Sequence, residues 1–296
     1  MRRAGASKIR RRVGEGLDPQ GPIATQRAAF ARLLQLTEVG MPAHACRACS
    51  VGGIDGLELV PEHEESSRPV IYVHGGGYSL GAPEVQRPLA ARVATALGTR
   101  LWMPRYRLAP EHAYPAAVED LCAVWQALDA SERGETLLVG DSAGAGLVLA
   151  LAQHLRARGL ERPAGLVLMS PWIDLSVSGA SVETNAAHEL LFSRPGLELM
   201  ARRYAGASAP DHPGVSPLFA PFEELPPMLI QAGGHEMLLD DARRAALRAE
   251  QAGVEVELQV YEGQAHVFQA TPMLEPAARA IAAIASWVEA KLPAPL

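Results

Sequence analysis

From residue 70 onward, short apolar runs alternate with longer stretches in which apolar positions recur every three or four residues. A short continuous apolar run fits a strand buried on both faces, and the longer recurrence fits a helix with one buried stripe. Val70-Ile71-Tyr72-Val73 therefore predicts a strand between Pro69 and His74-Gly75. Further strands are predicted over 99–104, 136–139, 164–169 and 228–232, and helices over 83–97, 115–128, 143–158, 238–252 and 274–292. Gly98, Gly159 and Gly253 stand where three of these helices end, as helix-terminating glycines do. Segment 254–261 alternates strictly, with Val254, Val256, Leu258 and Val260 on one face, and predicts a strand of period two.

This alternation predicts an α/β class: a mostly parallel central sheet with helices on both faces. Two regions stand outside it. Residues 25–36 have helical spacing, with Ala29, Leu33 and Leu36 on one face and Thr25 as N-cap. Residues 176–226 are rich in Pro, Gly, Ser and His and carry only short helical runs. An insertion of that length in a compact α/β unit is usually a lid or binding segment. The two regions are expected to pack together as a helical cap over the C-terminal ends of the strands. The expected division is 1–45 for the first part of the cap, 46–177 for the first part of the core, 178–218 for the cap insertion and 219–296 for the rest of the core.

The chain has 296 residues, 48% of them hydrophobic and 20% charged, which suits a globular domain and excludes global disorder. The net charge of −6 and an aromatic content of 5% argue against nucleic-acid binding. Six basic residues and no acid fall within residues 1–12, which read as a solvated arm, with contact to an anionic surface as the alternative. No apolar stretch follows them, and none approaches the length of a membrane span. The expectation is a cytoplasmic protein without integral membrane association. Cys46, Cys49 and Cys122 make no disulfide framework. Cys46-x-x-Cys49 lacks a second ligand pair for zinc, and the reading is two reduced, half-buried thiols on an extended segment.

Gly140-Asp-Ser142-Ala-Gly144 joins the strand 136–139 to the helix 143–158. A sharp strand-to-helix turn presents the serine hydroxyl at its tip, and the helix N-terminus favours developing negative charge there. His74-Gly-Gly-Gly77 follows strand 70–73 directly. The N–H groups of Gly75, Gly76 and Ala143 are the candidate donors to an oxyanion. A serine nucleophile needs a base, and His266 stands just past strand 254–261, after the serine in chain order. The base needs an acid. Glu236, in the loop after strand 228–232, is favoured over Asp240, which falls in the helix beyond.

These motifs resemble those of the hormone-sensitive-lipase family of α/β hydrolases, bacterial carboxylesterases marked by an HGGG motif. The resemblance runs from about Val70 onward. It includes His74-Gly-Gly-Gly-Tyr78, Tyr106-Arg-Leu-Ala-Pro110, Gly140-Asp-Ser-Ala-Gly-Ala145, Ser170-Pro-Trp172, Ser216-Pro-Leu218 and His266-Val-Phe268. It implies an α/β-hydrolase fold and hydrolysis of short- to medium-chain acyl esters, with Ser142 as nucleophile, His266 as base and no cofactor or metal. Many members read Asp-Pro-Leu where this chain has Glu236-Met-Leu, and His-Gly-Phe where it has His266-Val267-Phe268. Tyr78, Leu191, Phe192, Tyr204 and Val267 are the candidate substrate contacts; the cap residues among them suit apolar acyl groups or form ordinary cap core. The resemblance also implies a homodimer through strand 254–261. The competing readings are a ligand-binding receptor on the same fold, an amide or lactone hydrolase, and a long-chain lipase.

Overall fold

A computed structural model of the protein describes residues 18–292, so the basic segment 1–12 lies outside the described residues. The helices are α1 (Ile23–Leu34), α2 (Pro83–Leu97), α3 (Ala116–Ala127), α4 (Ala130–Arg133), α5 (Ala143–Ala157), α6 (Ser181–Thr184), α7 (Arg194–Ala205), α8 (Leu239–Gln251) and α9 (Glu275–Lys291). The strands are β1 (His44–Val51), β2 (Ile54–Pro61), β3 (Val70–Val73), β4 (Leu101–Pro104), β5 (Leu137–Asp141), β6 (Gly165–Met169), β7 (Met228–Gly233) and β8 (Val256–Tyr261). They form one eight-stranded sheet in the order β1-β2-β4-β3-β5-β6-β7-β8. Strands β3 to β8 pair in parallel, while β1 pairs with β2 and β2 with β4 in antiparallel fashion.

Strand pleating explains the two layers. Val70 and Tyr72 face one core and Ile71 and Val73 the other; Leu137 and Val139 face the first and Leu138 the second. The first core packs against α2 and α9 through Leu89, Val93, Ile281 and Trp287. The second packs against α3, α5 and α8 and continues into the insertion. Burial on both faces is why the central strands read as unbroken apolar runs.

The residue pattern predicts no strand at 54–61, yet one forms there. Gly52 and Gly53, with φ of 61° and 78°, make a two-residue turn, and β2 folds back on β1. Leu57 and Leu59 of β2 are buried, but polar neighbours dilute the apolar signal. Helix α1 starts earlier than expected. Pro22 is its N-cap and the Thr25 N–H already bonds the Pro22 carbonyl, so Thr25 lies inside the first turn. Cys46 is exposed rather than half-buried, because β1 is the sheet's edge; all three thiols are free. Among the described residues, no helix is long and apolar enough to cross a membrane.

The first and second expected cap regions touch. Arg203 of α7 donates to the Pro19 carbonyl at 2.8 Å and to Gln26 Oε1 of α1 at 3.2 Å.

Candidate active site

Parallel pairing brings the C-terminal ends of β3, β5, β7 and β8 to one edge of the sheet, where open α/β sheets gather their ligands. The loops leaving those ends carry His74, Ser142, Glu236 and His266.

Ser142 has φ 52° and ψ −121°, a conformation a non-glycine residue holds only when its surroundings fix it. They do so here. Its N–H bonds the Met169 carbonyl at 2.8 Å, and its own carbonyl accepts from Gly146 and Trp172, both at 3.1 Å. A Cβ on Gly144 would collide with the Val73 carbonyl oxygen, so the helix after the serine approaches β3 only because that residue is glycine.

The Ser142 hydroxyl lies 2.9 Å from His266 Nε2, and His266 Nδ1 lies 2.6 Å from Glu236 Oε2. The second oxygen of Glu236 accepts the Gly233 N–H at 2.9 Å. The three residues are 4%, 6% and 0% exposed for serine, histidine and glutamate. Asp240 is elsewhere: its carboxylate accepts the Ser181 N–H at 2.8 Å and pairs with Arg243. Burial lowers the pKa of His266. The Glu236 hydrogen bond, with the charges of Glu236, Glu189 and Asp141, outweighs it and leaves the net value above the ordinary 6.5. Val267, at φ 49°, donates its N–H to Ser170 Oγ at 3.0 Å, and the Phe192 ring meets the imidazole edge-on at 5.1 Å.

The glycine loop differs in detail from the sequence reading. The Gly75 N–H, expected to face an oxyanion, donates to Asp141 Oδ1 at 3.0 Å, and a Cβ there would collide with the same carboxylate. Asp141 is a buried strut: it also accepts Tyr72 OH at 2.8 Å and Gln86 Nε2 at 3.2 Å, and burial raises its pKa to about 6. Among the described residues, the N–H groups of Gly76 and Gly77 have no hydrogen-bond acceptor. His74 supports the loop from behind. Its Nδ1 donates to the Gly75 carbonyl at 2.8 Å, its ring stacks on Tyr106 at 4.4 Å, and burial lowers its pKa to about 4.

Ser142, His266 and Gly76 open into a cavity of about 960 Å³. Its walls are largely apolar: Phe30, Leu33 and Leu34 from α1, Leu191 and Phe192 from the insertion, and Val267 beside the histidine. Tyr78 and Tyr204, expected as substrate contacts, do not line it. Tyr78 donates to the Trp172 carbonyl at 2.6 Å and stacks on Tyr204 at 4.0 Å, and both are buried. Leu197, Met200, Ala201 and Tyr204 form the buried stripe of α7, which turns the tyrosine into the core. Asp141 and Gly77 escaped the sequence reading because a motif marks residue types without saying which backbone N–H groups are already bonded.

Residues 70–270 match the family described as alpha/beta hydrolase fold. An esterase of the bacterial hormone-sensitive lipase family, known from its crystal structure, superposes with a TM-score of 0.89 at 34% identity, covering 97% of this chain and 98% of that one. The chain is an α/β hydrolase of the hormone-sensitive-lipase family. Two sequence relatives agree. An acetyl-hydrolase of Streptomyces hygroscopicus is 40% identical over 227 residues, covering 76% of each chain. An esterase of Acinetobacter venetianus is 35% identical over 231 residues, covering 77% of this chain and 76% of its own. As in other α/β hydrolases, the sheet is mostly parallel with helices on both faces, and the matched region holds the serine, glutamate and histidine just described.

Proposed function

We propose that this hydrolase cleaves carboxylic esters of short to medium acyl chain through a covalent acyl-enzyme on Ser142. The observation that carries the reading is the unbroken chain of contacts from Ser142 Oγ through His266 to Glu236, at 2.9 and 2.6 Å. Ser142 attacks the ester carbonyl while His266 Nε2 takes its proton. Glu236 holds the Nδ1–H tautomer and stabilises the imidazolium. The carbonyl oxygen gains a negative charge, which the N–H groups of Gly76, Gly77 and Ala143 receive, the last at the start of α5. His266 returns the proton to the leaving alcohol. Water then repeats the two proton transfers on the acyl-enzyme and frees the acid. Residues 178–218 and the described part of 1–45 serve as the cap in this reading, with Leu191, Phe192 and Val267 against the acyl chain.

A series of p-nitrophenyl esters from acetate to palmitate tests the substrate class. We expect kcat/KM to peak at short or medium chains, because apolar walls reward each added methylene by about 0.8 kcal/mol until the cavity is filled. A peak at the longest chains, or preferred turnover of an amide or lactone, would replace the proposed class.

The base must be neutral to accept a proton. A folded-state pKa raised above 6.5 means that protonation starts at higher pH than for a free imidazole. The acid limb of kcat/KM is therefore expected above pH 6.5, with the rate falling as pH drops through it. A profile flat to pH 5 would remove His266 as base.

Among the described residues β8 is an edge strand of the sheet, which supports a homodimer, since an edge strand offers unpaired N–H and carbonyl groups to a second copy. Light scattering is expected to report twice 31.5 kDa; the monomer mass would exclude it.

A further inference from the structure

The loop that carries Glu236 runs from the end of β7 at Gly233 to the start of α8 at Leu239. The core holds it by its N–H groups: Gly234 to the Tyr261 carbonyl at 2.9 Å, His235 to the Gln264 carbonyl at 3.0 Å, and Glu236 to the Gly233 carbonyl at 3.3 Å. The insertion meets other polar groups of the loop backbone. Asn185 Nδ2 donates to the Gly234 carbonyl at 3.2 Å and to the Glu236 carbonyl at 2.9 Å. Ser181 Oγ donates to the Met237 carbonyl at 2.7 Å, and Glu189 Oε2 accepts the Met237 N–H at 3.2 Å.

We propose that Asn185 is a positioning residue for the acid Glu236, so that the insertion over the substrate cavity also sets the geometry of the proton relay. The proposal rests on Glu236 as the acid. Both of Asn185's bonds end on carbonyl oxygens, so the position calls for a double donor, which an amide nitrogen supplies and a carboxylate or hydrocarbon does not. The bond to Glu236 is the shortest on that peptide group; Leu239 reaches the same carbonyl only at 3.3 Å. The Glu236 side chain leaves the same α-carbon. A small rotation of this peptide therefore swings Oε2 away from His266 Nδ1, and such contacts lose much of their value with small misplacements. Asn185 is half-buried and does not line the cavity, so its effect on the reaction runs through the loop.

The test is a double-mutant cycle, with kcat taken per active serine from the acyl-enzyme burst. Asn185→Leu is expected to lower kcat about tenfold, the worth of one to two hydrogen bonds, with KM within about twofold. Added to Glu236→Gln, which already breaks the relay, the same change is expected to cost under about twofold. Asn185→Ala supplies the same readout should the bulkier leucine impair folding. Equal losses in both backgrounds, a loss carried by KM, or an unchanged kcat would each overturn the proposal. If Glu236→Gln alone left kcat intact, the acid assignment would fail first and take the proposal with it. A normal drop in Glu236→Gln with no drop in Asn185→Leu would sink the positioning role alone.

Discussion

Replacing Ser142 by alanine is expected to lower kcat by about a millionfold and to leave KM within a few fold. The magnitude follows what removal of a serine nucleophile costs where the triad acts as a unit. In the proposed reaction the hydroxyl at the tip of the β5–α5 turn forms the acyl-enzyme, and without it His266 has no proton to take. The residual rate should still exceed that in water by about 10³–10⁴, because the backbone donors and the cavity remain. The fold should tolerate the change. The bonds that hold residue 142 in its strained conformation all run through its backbone, to Met169, Gly146 and Trp172. Steady-state kinetics, with a thermal melt to confirm folding, decides it. A variant retaining more than about a hundredth of wild-type kcat would remove Ser142 as nucleophile.

Glu236→Gln is expected to lower kcat by about 10⁴, again with little change in KM. The two carboxylate oxygens have different tasks: Oε1 accepts the Gly233 N–H, and Oε2 faces His266 Nδ1. An amide satisfies only one of them. With its oxygen toward Gly233, its NH₂ faces Nδ1 and forces the proton onto Nε2, so the imidazole no longer accepts from Ser142. With its oxygen toward His266, two donors collide at Gly233 in a site that is fully buried. Asp240→Asn makes the comparison. Asp240 bonds Ser181 and pairs with Arg243, and an asparagine oxygen keeps the first bond, so kcat should stay within about threefold. Measured side by side, a larger loss in Asp240→Asn would transfer the acid to that residue.

The parts of this site legible in the sequence share a cause. Strands buried on both faces leave uninterrupted apolar runs, and Gly140-Asp-Ser142-Ala-Gly144 follows one such run directly, so the position of the serine is fixed by local order. His266 and Glu236 follow from the same logic, each in a loop beyond a late strand. What pattern reading missed depends on who is bonded to whom. Gly75 and Gly77 are the same residue type two positions apart, and the Asp141 carboxylate reaches only the first. Tyr204 sits on a helix whose buried stripe was not separable from its cavity face, because Met200 of the same helix serves both. Strand β2 is hidden because Asp55 and Glu58 stand three apart on opposite faces, so each face carries one acid and neither reads as an apolar alternation. The helical spacing of 25–36 marks the N-terminal helix, but that Phe30 and Leu33 form a wall of the cavity depends on a packing between residues far apart in sequence.

Much of the cavity wall descends from parts of the chain other than those that carry the proposed reacting groups, and this makes the enzyme adaptable in a particular way. Leu33, Leu34 and Leu191 hang from α1 and the insertion, while the serine, histidine and glutamate are rooted in the sheet. Exchanges among the wall residues can retune which acids and alcohols are accepted without disturbing the machinery that turns them over. Randomised libraries aimed at breadth of substrate should therefore vary those hanging residues and leave Ser181, Asn185 and Glu189 alone, since these three bond the backbone of the loop that carries Glu236.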